Sequence, residues 1–130
     1  MKGNTWRDTK PEVAVRSILH SQGYRFRKRL TIRLGDGRWT QPDVTFTRER
    51  LAVFVDGCFW HRCPLHGTEP RTNTDYWLPK LERNQRRDRD TTARLTTAGW
   101  TVVRAWEHEA PEEIAREVEE RLLQLRDDLA

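Results

Sequence analysis

The chain has 130 residues, with 24 Lys or Arg against 20 Asp or Glu, a net charge of +4 and a sequence pI near 9.5. We expect one domain over residues 1–130, because this length buries a modest core, and no apolar stretch is long enough for a membrane helix. The start Met1-Lys2-Gly3-Asn4 is not typical of a signal peptide, so we expect a cytoplasmic protein. In that compartment two cysteines indicate metal ligands or free thiols more than a disulfide.

The first half of the chain predicts one helix and three strands. Thr9-Lys10-Pro11-Glu12 is typical of a helix start, with a threonine cap, a proline in the first turn and an early acid, and Gly23 ends the helix. Residues 24–33 predict a strand with arginines on alternate positions. A turn at 35–37 leads to a second strand over about 43–47, and the apolar run 51–55 is typical of a buried strand.

The second half predicts a polar helix, a strand and an amphipathic helix. The polar helix covers 75–98, with Pro79 expected to kink it or delay its first turn. A strand follows over 100–106, and the last helix begins at Pro111. Its apolar stripe is Ile114, Val118, Leu122, Leu125 and Leu129. The order αβββαβα predicts an α/β fold layered around a mixed sheet.

Asp43 stands where one central strand begins and Val55 where the next one ends. If the turn between the two strands centres near Glu49, antiparallel pairing places Asp43 roughly opposite Val55, to within a residue or two of register. A carboxylate beside a backbone carbonyl suits Mg²⁺, which can activate water against a phosphodiester. An aspartate after a proline is also a common turn or strand-cap residue, so the dipeptide alone leaves both interpretations open.

The run Asp56-Gly57-Cys58-Phe59-Trp60-His61-Arg62-Cys63-Pro64-Leu65-His66 concentrates groups capable of chemistry. Its thiols and last imidazole have the spacing C-x4-C-x2-H, which suits zinc, and a histidine after the last strand could complete the site. A disulfide between the two thiols is the alternative. The predicted zinc ligands are Cys58, Cys63, His66 and His108. His61 is either a general acid or base beside the zinc or a ligand itself.

Basic and aromatic residues indicate a nucleic-acid partner. Basic residues are in excess in residues 1–50 and acidic ones in 111–130, and most of the basic residues are arginine, which grips phosphates through paired hydrogen bonds. The run 80–89 is either a phosphate-binding or a solvated helix face. Aromatic residues nearby are either wedges between base pairs or a small satellite core. The residues concerned are Phe59, Trp60, Trp77, Lys80, Arg83, Arg86 and Arg87.

These motifs together resemble the very short patch repair endonucleases. The resemblance is carried in order by Thr9-Lys10-Pro11-Glu12, the run from Asp56 to His61, Thr74-Asp75-Tyr76-Trp77-Leu78, Asn84-x-x-Arg87-Asp88 and Leu95-x-x-x-Gly99-Trp100-x-Val102-x-x-x-Trp106-Glu107. It covers nearly the whole chain. It implies a restriction-endonuclease-like fold and an Mg²⁺-dependent enzyme that nicks DNA 5′ to the thymine of a T:G mismatch, which begins repair of deaminated 5-methylcytosine.

The resemblance also implies roles for individual residues. Asp43 and the Val55 carbonyl would bind Mg²⁺, His61 would act as acid and base, and Glu12 would support the metal-bound waters. Asp56 is also predicted as a catalytic residue. Some members of the family have histidine at the corresponding position. The four zinc ligands would hold a structural Zn²⁺, and the aromatic residues would intercalate.

We therefore expect a monomeric, nucleoid-associated nicking endonuclease acting on double-stranded DNA with a T:G mismatch, with mismatch-repair helper proteins as further candidate partners. One alternative is a nickase of other specificity, for example one that acts in defence against foreign DNA. The other is a non-catalytic zinc module that binds distorted DNA.

Overall fold

The computed structural model describes residues 10–57 and 74–129. These ranges contain three helices and five strands. In chain order they are α1 (Pro11–Ser21), β1 (Ile32–Gly35), β2 (Arg38–Thr40), β3 (Val44–Phe46), β4 (Leu51–Asp56), α2 (Thr74–Thr97), β5 (Thr101–Trp106) and α3 (Pro111–Leu129).

Strands β3, β4 and β5 form a mixed sheet in that order. Strand β3 runs antiparallel to β4, with Val44 opposite Val53, and β4 runs parallel to β5, with Val53 opposite Val103. Strands β1 and β2 form a separate antiparallel hairpin. The predicted mixed sheet is confirmed.

Alternating side chains of β4 face two different cores. Leu51 and Val53 pack with the apolar faces of α1 and α3, whereas Ala52 and Phe54 pack with Leu95 of α2. Because successive strand residues point to opposite faces, β4 is buried on both sides. Helices therefore cover both faces of the sheet, with α1 and α3 on one side and α2 on the other.

The predicted helices are present, with small corrections. The N-cap of α1 is Lys10, with no side-chain cap hydrogen bond, so the predicted threonine cap is wrong. Helix α1 has Pro11 in its first turn, and Gly23 follows it with φ +90°, a conformation that glycine adopts without strain. Pro79 lies inside α2 and does not delay its first turn. The apolar stripe of α3 ends early, since Leu129 is 59% exposed. Within the described ranges, no helix has both the length and the apolarity needed to cross a membrane.

The predicted strand over 24–33 is wrong. Only Arg27 forms a bridge, with Thr45, and regular strand structure begins at Ile32. Arg29 has φ +56°, a left-handed conformation that interrupts the extended backbone between them. Strand β2 was not predicted, so the observed order is αββββαβα. The turn Gly35-Asp36-Gly37 connects β1 to β2, which then pairs antiparallel with β1.

Thr45 presents an unpaired hydroxyl to the core. Its side chain is fully buried, and among the residues that the structure describes its Oγ1 is the one buried side-chain polar atom without a hydrogen-bond partner. Thr45→Val should therefore stabilise the fold by about 1 kcal/mol, because valine has the same shape without the desolvated hydroxyl. Urea unfolding measures the change.

Thr92→Val is the matched control for that measurement. The Thr92 hydroxyl accepts a 2.8 Å hydrogen bond from Arg104 Nε, so the same substitution should destabilise the protein there by about 1 kcal/mol. Equal losses in the two variants would contradict the inference that the Thr45 hydroxyl is unsatisfied.

Candidate active site at one end of the sheet

Asp43 is fixed to β4 through both its backbone and its side chain. Its N–H donates to the Val53 carbonyl at 2.9 Å, and the Val55 N–H donates to its carboxylate Oδ2 at 2.7 Å. The sequence placed Asp43 opposite Val55. The backbone register differs, since Val44 pairs with Val53, but the carboxylate extends along β4 and reaches Val55. The predicted proximity of the two residues is confirmed.

The Val55 carbonyl lies on the same side of β4 as Asp43. The Val53 carbonyl accepts from Asp43 on the β3 side, and the Asp56 carbonyl accepts from the Glu107 N–H beside β5. Backbone groups of successive strand residues alternate between the two sides, so the carbonyl of Val55 points toward β3. A carboxylate and a carbonyl therefore open together at the end of the sheet.

The surroundings of Asp43 favour a bound cation. Partial burial, the largest cause, raises the pKa of this carboxyl above its usual value, and the nearby negative charges of Glu12 and Asp56 raise it further. The Val55 N–H and the positive charge of Arg16 lower the pKa but do not cancel the rise. Arg16 also donates from Nη1 to the Asp43 carbonyl at 3.3 Å. The ionised carboxylate is thus under-compensated, and added positive charge stabilises it.

Asp56 is held by an arginine of the neighbouring strand. Arg104 Nη1 lies 3.1 Å from both Asp56 carboxylate oxygens, and its Nε donates to Thr92 of α2. Its guanidinium also covers the Phe54 ring, with 4.2 Å from Cζ to the ring centre. This network ties the end of β4 to β5 and α2. It borders a cavity of about 200 Å³ lined by Asp56, Gln85, Asp88, Arg89, Arg104, Ala105 and Trp106.

Within residues 10–57 and 74–129, no three His, Cys, Asp or Glu side chains come together as a metal site. The oxygens available for a cation at the sheet end are those of Asp43 and the Val55 carbonyl, with Glu12 close enough to influence the charge. His108 is exposed in the turn after β5, directly after Glu107, which bonds to Asp56 at the end of β4. Its predicted role as a zinc ligand stays a prediction.

The remaining predicted residues of the run lie outside the described residues. They are Cys58, Phe59, Trp60, His61, Cys63 and His66. Their roles in zinc binding, acid–base chemistry and intercalation stay predictions.

The first turns of α2 carry an aromatic and basic cluster. Trp77 is half-buried and contacts Tyr76 edge to face, with ring centres 5.0 Å apart, and Lys80 Nζ lies 4.9 Å from the Tyr76 ring centre. Arg83, Arg86 and Arg87 follow and are exposed. The structure thus brings the predicted DNA-contacting residues of α2 onto one accessible helix.

Three residues near the site were not singled out from the sequence. Arg16 follows Glu12 by four residues, so helical spacing could have placed both on one face. Arg104 is a charge inside an apolar strand, which signals a buried partner without identifying it. Tyr76 is 57% exposed beside Trp77. The only sequence feature that pointed to Tyr76 was its position next to Trp77 in the aromatic motif.

Comparison with known proteins decides the family. The family model described as "DNA mismatch endonuclease Vsr" matches residues 1–66, just over half of the 130-residue chain. The chain belongs to the Vsr family of DNA endonucleases. A mixed sheet covered by helices on both faces fits the restriction-endonuclease-like fold that the resemblance implied.

Individual relatives carry two kinds of name. The chain is 56% identical over 109 residues to "Type II nicking enzyme V.NaeI" of Lentzea aerocolonigenes, over 84% of this chain and 66% of that protein. It is 45% identical over 105 residues to "Type II nicking enzyme V.XorIIP" of Xanthomonas oryzae, over 79% and 73%. It is 37% identical over 109 residues to "DNA mismatch endonuclease Vsr" of Escherichia coli, over 82% and 66%. The match thus spans about two thirds of the first relative's length.

Breaking the Asp56–Arg104 pair should destabilise this Vsr-family protein. Asp56→Asn or Arg104→Gln alone should each cost about 3 kcal/mol, because each removes the opposite charge that faces a largely buried ionised side chain. The double variant should lose less than the sum of the single losses, which urea unfolding of all four proteins measures.

Arg38→Gln is the exposed control for this cycle. Its ion pair with Asp90 joins two side chains that are each 38% exposed, so its loss should cost less than about 1 kcal/mol. Strict additivity of Asp56→Asn and Arg104→Gln would contradict the coupling inferred from the structure.

Ionisation of Asp43 should lower the stability of the metal-free protein. Since its pKa is raised in the folded state, the folded protein binds this proton more tightly than the unfolded chain. In EDTA, Asp43→Asn should therefore be more stable than the wild type at neutral pH. This advantage should shrink as pH falls through the raised pKa and level off below the usual value of 3.8. A variant less stable than the wild type at neutral pH would contradict this sign.

Proposed function

We propose that this protein is an Mg²⁺-dependent endonuclease that nicks one DNA strand 5′ to the thymine of a T:G mismatch, and so begins repair of deaminated 5-methylcytosine. The observation that carries the proposal is the Asp43 carboxylate, fixed by the Val55 N–H beside the Val55 carbonyl at the open end of the sheet. Family membership supports the nuclease class, and the name of the E. coli relative supports the mismatch.

The donors at the sheet end suit a hard cation. Asp43 and the Val55 carbonyl would hold Mg²⁺, and Glu12 would orient its waters. When bound, this ion supplies positive charge that stabilises the phosphodiester in the transition state and acidifies water. The raised pKa of Asp43 fits this assignment, because it marks negative charge that the described residues leave under-compensated.

The protein's own groups would handle protons and DNA. His61 follows the end of β4 by a few residues and would exchange a proton with the attacking water. Arg83, Arg86 and Arg87 would bind backbone phosphates along α2. The aromatic residues Phe59, Trp60 and Trp77 would intercalate beside the mismatch.

A structural zinc site is the second metal site of the proposal. Cys58, Cys63, His66 and His108 would bind Zn²⁺ and hold the segment after β4 against the end of β5. Metal analysis of the purified protein, with one zinc per chain expected, checks this part separately from activity.

A nickase of other specificity is the second candidate function. Several relatives, including those of Lentzea and Xanthomonas, carry the name "Type II nicking enzyme". That name states that the relatives nick and does not mention a mismatch, so it favours a nicking enzyme of other specificity. The sheet-end metal site would serve either target equally well.

A nicking assay on matched duplexes tests the function. One duplex carries a single T:G mismatch and the other a T:A pair, each incubated with wild type or Asp43→Ala in Mg²⁺ or EDTA. We expect an Mg²⁺-dependent nick beside the mismatched thymine. Asp43→Ala should lower the rate by more than about 100-fold, since even residues that merely support metal ligands are worth 10- to 100-fold.

Asp127→Ala is the matched control, because it removes an exposed carboxylate from α3. It should nick at the wild-type rate. Equal cutting of both duplexes by the wild type would favour the second candidate, and tight binding without any nick would favour the non-catalytic module. Nicking activity that persists in Asp43→Ala would contradict the proposed metal site at Asp43.

A further inference from the structure

The β1–β2 hairpin presents an aromatic and a basic side chain to solvent. Trp39 is 59% exposed, and Arg33, its cross-strand partner, is also exposed. On the other face of the hairpin, Ile32 and Leu34 pack against the core beneath α2. Tryptophan is costly to leave in water, so an exposed one beside an arginine is a candidate contact with a partner.

Three polar contacts, added to the apolar packing of Ile32 and Leu34, attach the hairpin to α2. Arg38 Nη1 lies 2.6 Å from the Asp90 carboxylate, and Arg94 Nη1 donates to the Leu34 carbonyl at 3.3 Å. Arg94 also pairs with Asp36 in the hairpin turn, at 3.5 Å. These contacts fix the position of the exposed face before any partner binds, which lowers the entropic cost of binding.

The attachment aligns the hairpin with the basic residues of α2. At 100° per residue, Arg83, Arg87, Asp90 and Arg94 lie along one side of the helix. Arg83 and Arg87 are exposed about one to three turns before Asp90 and Arg94, which hold the hairpin. The hairpin therefore extends the basic surface of α2 instead of lying on a separate side of the molecule.

The hairpin is also close to Asp43. Asp43 follows Trp39 by four positions along the chain, so their Cα atoms are at most about 14 Å apart. That distance corresponds to roughly four base-pair steps of a duplex. A DNA molecule engaged at Asp43 would thus pass within reach of Trp39 and Arg33.

We propose that the β1–β2 hairpin is a second DNA-contacting arm, in which Arg33 binds a backbone phosphate and Trp39 packs against the duplex that flanks the nick. The arm rests on the proposed function, because its partner is the same substrate DNA. The charge of the exposed hairpin face favours DNA over a protein as its partner. The exposed face carries Arg33 beside Trp39, while the nearby carboxylates Asp36 and Asp90 are already paired with arginines.

Binding measurements test the arm directly. Fluorescence anisotropy gives the Kd of a labelled T:G duplex in EDTA, which prevents nicking. Trp39→Ala should raise Kd about tenfold, within the range found when a stacking aromatic is removed, and Trp39→Phe should recover part of the loss. Arg33→Gln should also raise Kd and should lower the slope of log Kd against log salt by about 0.9, the contribution of one phosphate contact.

Arg121→Gln is the charge-matched control, because Arg121 is exposed on α3, across the sheet from α2. It should bind with the wild-type Kd. A shorter duplex adds a second test. Trimming the flank on one side of the mismatch should weaken binding by the wild type but leave the Kd of the double variant Trp39→Ala, Arg33→Gln nearly unchanged, because that variant lacks both proposed contacts to the flank.

The outcomes separate the arm from the function itself. Wild-type binding that Trp39→Ala and Arg33→Gln leave unchanged would overturn the arm alone. A wild-type protein that neither binds nor nicks either duplex would overturn the proposed function and the arm together. Self-association in sedimentation that Trp39→Ala abolishes, with DNA binding intact, would assign the hairpin to protein contact and overturn the DNA arm.

Discussion

The site depends on the point at which backbone pairing between β3 and β4 stops. Pro42 has no N–H to offer, and its carbonyl accepts from the Arg29 N–H, so it makes no ladder with β4. The Val55 N–H is then satisfied by the Asp43 carboxylate. One side chain therefore completes the sheet where the backbone cannot. As a result, Asp43, the proposed metal ligand, is positioned by the same bond that satisfies a partly buried N–H.

The two acids at the end of the sheet have different surroundings, although they lie close enough to influence one another. Burial and neighbouring carboxylates raise the pKa of Asp43, so a nearby cation would stabilise its ionised carboxylate. Asp56 already has a cation, since Arg104 holds both of its oxygens. A contribution of Asp56 to catalysis would therefore come through the position of β4 and the charge near Asp43 more readily than through direct binding of Mg²⁺. The same arginine contacts α2, so the basic helix and the site share one support.

Local patterns in the sequence were sufficient to predict most of the fold. Helix starts, glycine ends and apolar periodicity located all three helices, and the position of one turn placed Asp43 near Val55. The prediction of a strand over 24–33 failed because the left-handed conformation of Arg29 cannot be recognised from an alternating pattern of residue types. Arg104 could be flagged as a buried charge, but its partner lies 48 residues away, and only the parallel pairing of β4 with β5 identifies it.

The sheet also separates charges. Helix α2 carries exposed arginines on one face, whereas α3, packed on the opposite face, exposes a series of carboxylates. The exposed acids of α3 outnumber its three exposed arginines, and they are Glu112, Glu113, Glu117, Glu120, Asp127 and Asp128. Because a polyanion is attracted to α2 and repelled by α3, the contrast between these two helices would favour DNA approaching on the side of α2 and the hairpin before any specific contact forms. The net charge of +4 averages over both helices, so it understates the basic charge of α2.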